Sequence, residues 1–149
     1  MNNILSKEDL KNSITNFLKE HIQGSLATVI DNVPRSSPVL YFLSDDFNIY
    51  IVSAGGEKFR AIEKNNNVCL LVNTEYLDYR RIKGVQIFGS AQIGDINSNL
   101  YNEGKKIIEN NNFKLHGDEK IIKIIPNEII YLDSTKTGER TKQILKLNE

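Results

Sequence analysis

Short apolar runs bounded by turn residues outnumber helical segments in this chain, and that imbalance limits what it can fold into. Only three segments carry helical spacing. Ser6 caps the first, with Asp9 three residues on, and Leu10, Ile14, Phe17 and Leu18 then recur on one face as core residues. Glu57 to Asn66 forms the second. Asn97 to Asn110 forms the third through Leu100, Tyr101, Ile107 and Ile108, weakened by Gly104. Gly24 breaks the first helical pattern, and strands are predicted at Ser25 to Ile30, Arg35 to Leu43 and Asn48 to Val52, joined by turns at Asp31 to Pro34 and Ser44 to Asp46. Further strands follow at Val68 to Val72, at Val85 to Ile93 with Gly89 at a bend or bulge, and at Ile121 to Ile125 and Ile129 to Leu132 around Pro126. Three helices cannot supply a crossover for every pair of six or more strands, which argues against a doubly wound parallel sheet. The predicted class is α+β, a mostly antiparallel barrel that closes its own edges, with about three peripheral helices.

Composition narrows the partners. At 149 residues the chain fits one domain, spanning 1–149 and ending in a polar tail from Asp133 to Glu149 that can extend as a short helix. Nineteen basic side chains balance nineteen acidic ones and no run of one sign occurs, so nothing marks a nucleic-acid or anionic-membrane surface. Small-molecule or protein partners are favoured. Cys69, the single cysteine, lies in the apolar run Val68 to Val72 and reads as a buried small hydrophobe, excluding a disulfide framework or a cysteine metal cluster within the monomer. No signal pattern opens the chain, and no apolar stretch approaches the roughly 18 residues that span a bilayer. A cytoplasmic protein is expected. The Asn-rich patches at Asn65 to Asn67 and Asn110 to Asn112 read as helix terminators, because Asn tolerates left-handed backbone.

The junction Ser53-Ala54-Gly55-Gly56-Glu57-Lys58 stands where an apolar strand ends and a helix begins. A helix N-terminus leaves backbone N–H groups without partners and carries partial positive charge, so an anion placed there is stabilised twice. Two glycines allow close backbone approach, Ser53 offers a hydroxyl and Lys58 a charge. The same residues also describe an ordinary strand-to-helix turn with a solvated lysine.

The order of these pieces resembles the FMN-binding split β-barrel of the pyridoxamine 5′-phosphate oxidase-like superfamily, over roughly Ser6 to Leu132. The residues that carry the resemblance are Gly24 to Val29, Pro34 to Tyr41, Ile49 to Ser53 with Lys58, Asn65 to Val72, and Val85 to Ala91. The resemblance implies FMN held at a homodimer interface. Arg35, Ser36 and Ser37 would face the ribityl phosphate or the ring edge. Ile51, Val52 and Ser53 would contact the isoalloxazine edge largely through backbone groups, and Lys58 would pair with the phosphate. Gln86 would offer an amide, its register against the family's glutamine open by two residues, a shift that keeps the same face. Strand alternation separates Arg35, Ser37, Val39 and Tyr41 from Ser36, Pro38, Leu40 and Phe42, and either set can meet the flavin.

The chain also departs from the family. The oxidases that make pyridoxal phosphate carry an arginine directly before the phosphate-binding lysine, where this chain has Glu57. They carry another basic residue late in the second strand, where Tyr41 or Phe42 stands here, and they close with a segment bearing tryptophan and arginine. This chain has no tryptophan. The resemblance therefore implies a flavin-dependent oxidoreductase acting on an unidentified small molecule, and not the vitamin oxidase. Deazaflavin is the alternative cofactor. A non-catalytic protein that stores or senses flavin or haem is the alternative function, with His21 and His116 as the imidazoles available to haem.

Overall fold

The computed structural model describes residues 4–147. Helix α1 (Lys7–Lys19) begins at Ser6, whose side chain accepts the Asp9 N–H, and buries Leu10, Ile14, Phe17 and Leu18. Strand β1 (Gln23–Ile30) runs through Gly24 and turns into β2 (Val33–Leu43). The turn is tighter than the sequence predicts. Asp31 and Asn32 alone form it, at φ 52° and 60°, the conformation that lets a two-residue hairpin follow the strand twist. Then come β3 (Ile49–Ser53), α2 (Glu57–Lys64), β4 (Asn67–Asn73) and β5 (Lys83–Gly94). Helix α2 stops two residues short of the predicted end because Asn65 is extended at φ −145°, not left-handed. In α3 (Asn99–Asn110), capped by Ser98, the Asn expectation holds: Asn112 lies at φ 62°.

The sheet runs in the order β3, β2, β1, β4, β5, β6, β7, and β3 also pairs with β6, so six antiparallel strands close a barrel. Strand β6 (Lys120–Asp133) is continuous where the sequence suggests two strands. A register shift opposite Gly89, beside Pro126, divides it in function. Residues before the shift pair with β3, and residues after it pair with β7 (Lys142–Lys146). Pro126 falls where β3 no longer follows, so its missing N–H breaks no bond on that side. The tail predicted as a possible helix contains β7 instead, and its last two residues, 148 and 149, lie outside the described residues.

The core fills the barrel. Ile14, Phe17, Leu26, Ile51, Leu70, Ile87 and Ile124 are fully buried there, each contributing about 1.5–3 kcal/mol. Tyr41 also points inward, and its hydroxyl donates to the Leu18 carbonyl at 2.6 Å, tying α1 to β2; burial pushes the phenol pKa well above its usual value. A smaller cluster of Tyr50, Tyr101, Ile108, Leu115 and Ile121 seats α3 on the outside. Cys69 corrects an expectation. It is only half-buried, on the outer face between Ala27 and Phe88, because β4 is covered on its inner side alone.

The loop after α3 is fastened by Glu119, a buried carboxylate that accepts the backbone N–H groups of His116 (2.8 Å), Gly117 (2.8 Å) and Asp118 (3.1 Å). Burial alone would raise its pKa, but the backbone donors prevail and hold it down at about 2. An unfolded glutamate titrates near about 4.3. The stabilisation is therefore complete above that value and is lost as the pH falls toward 2. Urea midpoints measured between pH 5 and 2.5 are expected to fall more steeply in the wild type than in Glu119→Gln, which is already less stable at neutral pH by about 1–3 kcal/mol. Parallel pH profiles would contradict this account.

Candidate functional site: the β3–α2 junction and the outer sheet face

The junction of β3 and α2 is an open helix start. Gly56, at φ 113°, occupies the cap position with no side-chain hydrogen bond to the first turn, and a Cβ built on Gly55, at φ 144°, would meet nothing within 4 Å. Only glycine takes these backbone angles without strain. Lys58 folds back from the first turn and donates to the Gly55 carbonyl at 3.0 Å, while Ser53 Oγ lies 3.3 Å from the same oxygen. Glu57 is exposed and paired with Arg60 at 3.5 Å, a surface ion pair worth under about 1 kcal/mol.

A second cation stands beside this junction that the sequence reading missed. Lys120 pairs in register with Ser53 across β3 and β6, and its ammonium lies 5.6 Å from the centre of the Phe59 ring, with Lys58 5.7 Å from the same ring. Lys120 is also within 3.3 Å of Asp95, a pair largely in solvent. The signal was unreadable without the pairing of β3 and β6, because the two residues are remote in sequence.

The other residues named from sequence divide between sites. Val52 and Ser53 are half-buried at the junction, whereas the Ile51 side chain is sealed in the core. Strand β3 enters ladders with both β2 and β6, so the Val52 side chain and the Ser53 hydroxyl are what it offers a ligand. Val39 and Tyr41 face the core, which turns the alternate set, Ser36, Pro38 and Leu40, outward, while Phe42 packs against Phe113 of the α3 region at 5.6 Å. Neither Tyr41 nor Phe42 can supply the charge found late in this strand in the vitamin oxidases. Val52 pairs with Leu40, so Ser37, Ser36 and Arg35 lie about 7–14 Å further along β2 than the end of β3. Gln86 is not brought to the junction within one protomer. It sits three strands from β2, about 14 Å across the sheet, on the outer face between Leu71 and Ile130.

That outer face is apolar and incompletely covered. Leu71 and Ile144 are 38% and 53% exposed, and Phe88, Ile130 and Leu132 are half-buried around them. His21 is committed to the end of α1: its Nδ1–H donates to the Phe17 carbonyl at 2.8 Å and its ring packs on Phe17 at 4.3 Å. His116 is exposed in the loop held by Glu119. No helix among the described residues is long and apolar enough to cross a membrane.

Comparison with known proteins agrees with this architecture. General stress protein 26 from Bacillus anthracis is 26% identical, with 93% of this chain and 98% of that chain covered at a TM-score of 0.67. An FAD-binding protein from Mesorhizobium loti is 20% identical over 79% of this chain and 90% of that one, at a TM-score of 0.61. A heme-binding protein from Mycobacterium smegmatis is 13% identical over 93% of this chain and 58% of that one, at a TM-score of 0.67. No curated protein matches the chain by sequence. The family described as pyridoxamine 5′-phosphate oxidase matches residues 10–133, nearly the whole barrel. The chain therefore belongs to the pyridoxamine 5′-phosphate oxidase-like split β-barrel superfamily and is distinct within it from the oxidases that make pyridoxal phosphate.

Proposed function

We propose that this protein is a cytoplasmic FMN-binding flavoprotein that works as a homodimer and transfers hydride or electrons to a small molecule. The observation that carries the reading is the uncapped start of α2, with Gly55 and Gly56 open to a ligand and Ser53, Lys58 and Lys120 around it. These residues suit a phosphate: the backbone N–H groups of the helix start, the Ser53 hydroxyl and the Lys58 ammonium lie together about Gly55, with the Lys120 ammonium beside the neighbouring Phe59 ring. The outward side chains of Val52 and Leu40 give the rest of the cofactor a wall that Ser36 continues along β2, while Arg35 and Ser37 alternate to the other side of the strand. Bound there, FMN would supply the redox chemistry, and the chain would orient it and exclude water.

Dimerisation supplies what one protomer lacks. The apolar outer face around Leu71 and Ile144 is the surface a second copy would cover, and covering it would let Gln86 of one protomer approach the junction of the other. The test is direct. The purified protein is expected to be yellow, or to quench the fluorescence of added FMN saturably at micromolar concentration, and to sediment as a dimer. Failure to bind either FMN or a deazaflavin would overturn the reading.

A further inference from the structure

We infer that Asp95 is a positioning residue that competes with the flavin phosphate for the Lys120 ammonium and so keeps the cofactor exchangeable. The inference deepens the function proposed above and rests on it. Its ground is the place of Lys120 in the sheet. Lys120 opens β6, and at that end β6 runs between two neighbours: Ser53 of β3 stands opposite Lys120 itself, while Gly94, the last residue of β5, stands opposite Ile121. One side chain therefore lies between the start of α2 and the residue that follows β5. That residue is Asp95. The Lys120 ammonium is 3.3 Å from Asp95 Oδ1 and 5.6 Å from the centre of the Phe59 ring in the first turn of α2.

The two lysines at the junction differ in what holds them. Lys58 donates to the Gly55 carbonyl at 3.0 Å and forms no ion pair among the described residues, whereas the charge of Lys120 is already offset. The other anions nearby are engaged elsewhere, Glu119 by the N–H groups of its own loop and Glu57 by Arg60. Asp95 is thus the anion that a phosphate must displace. Its backbone is tied down: the Asp95 carbonyl accepts the Ser98 N–H at 3.0 Å, and Ser98 Oγ accepts the N–H of Tyr101, a residue buried in the cluster that seats α3, at 3.1 Å. The lysine has a flexible four-carbon stem and the aspartate a short one, so the ammonium is the partner that moves.

Both partners stand in solvent, Lys120 46% and Asp95 71% exposed, so the resting pair is weak and a doubly charged phosphate can draw the ammonium away. What the phosphate gains from Lys120 is then reduced twice, by the contact that is given up and by the carboxylate left behind. A carboxylate this close lowers the affinity for a dianion by about three- to tenfold at low salt, and by less as salt screens it. One free cation and one balanced cation suit a flavin that is taken up and released.

The test measures FMN and riboflavin binding by flavin fluorescence, together with FMN release rates, in the wild type, Asp95→Asn, Lys120→Ala and the double variant, at low and high salt. Asp95→Asn is expected to bind FMN about three- to tenfold more tightly, mostly through slower release, and to lose that advantage in salt. Riboflavin, which lacks the phosphate, should bind it within about twofold of the wild type. In the Lys120→Ala background the same substitution should change FMN affinity by less than about twofold, because no ammonium remains to compete for. An undiminished gain in that background would make Asp95 a bystander charge. That result, an equal gain for riboflavin, or FMN binding indifferent to Asp95 would overturn the inference and leave the flavin reading standing. Failure of both the wild type and Asp95→Asn to bind FMN would remove the flavin reading and this inference together.

Discussion

Replacing Lys58 by alanine is expected to weaken FMN binding by about 10- to 100-fold while changing the stability of the free protein by less than about 1 kcal/mol. The two parts of that expectation have different causes. In the free protein the ammonium donates to one carbonyl, Gly55 O, and lies near the Phe59 ring, interactions that are half-exposed and weak. Against a phosphate the same group makes a charge-assisted bond worth about 1.5–3 kcal/mol, and each 1.4 kcal/mol is a factor of ten in affinity. Glu57→Arg should act oppositely, since it removes a carboxylate beside the phosphate and supplies a cation in its place. It gives up only the exposed pair with Arg60. Fluorescence titration of FMN with the two variants checks both signs. An unchanged affinity in Lys58→Ala would move the phosphate away from the β3–α2 junction.

A second large effect is expected in the barrel wall. Gly89→Val should cost roughly 3 kcal/mol or more, seen as a fall of about 6–12 °C in Tm. Gly89 faces the shift in β6, and a Cβ there would press on the Ile125 carbonyl oxygen and come within 2.9 Å of the Pro126 Cα. Those are backbone atoms, which cannot rotate aside as a side chain would. Gly89→Ala carries the same Cβ and should show most of the loss. Thermal melts of both variants decide the point, and an alanine variant as stable as the wild type would show that β6 yields there at little cost.

How far the chain could be read from its sequence follows from where each signal is stored. Helix α1 was legible because the Ser6 cap and the spacing of Leu10, Ile14, Phe17 and Leu18 are local facts. Gly89 was legible as a bulge because glycine interrupts an otherwise regular alternation. Strand β7 was not, since Lys142 to Lys146 contains two apolar residues, Ile144 and Leu145, and becomes a strand only because β6 presents an edge beyond Pro126. The site divides the same way. Ser53, Gly55, Gly56 and Lys58 are contiguous and read directly. Lys120 is brought beside Ser53 by the pairing of β3 with β6, and pairing partners are not written in any one segment.

The double service of β6 has a consequence for how this chain must be handled and how it can fail. Its first half is covered by β3 on the side where its second half is covered by β7 alone, so five residues of strand shield that stretch of β6 and present the sheet's edge in its place. An uncovered row of N–H and C=O groups along Glu128 to Leu132, rich in isoleucine, is a template for another chain. Deleting Lys142 to Lys146 would therefore do more than trim a polar segment: it would exchange the lysine-flanked edge of β7 for the isoleucine-rich edge of β6, on which further copies could add.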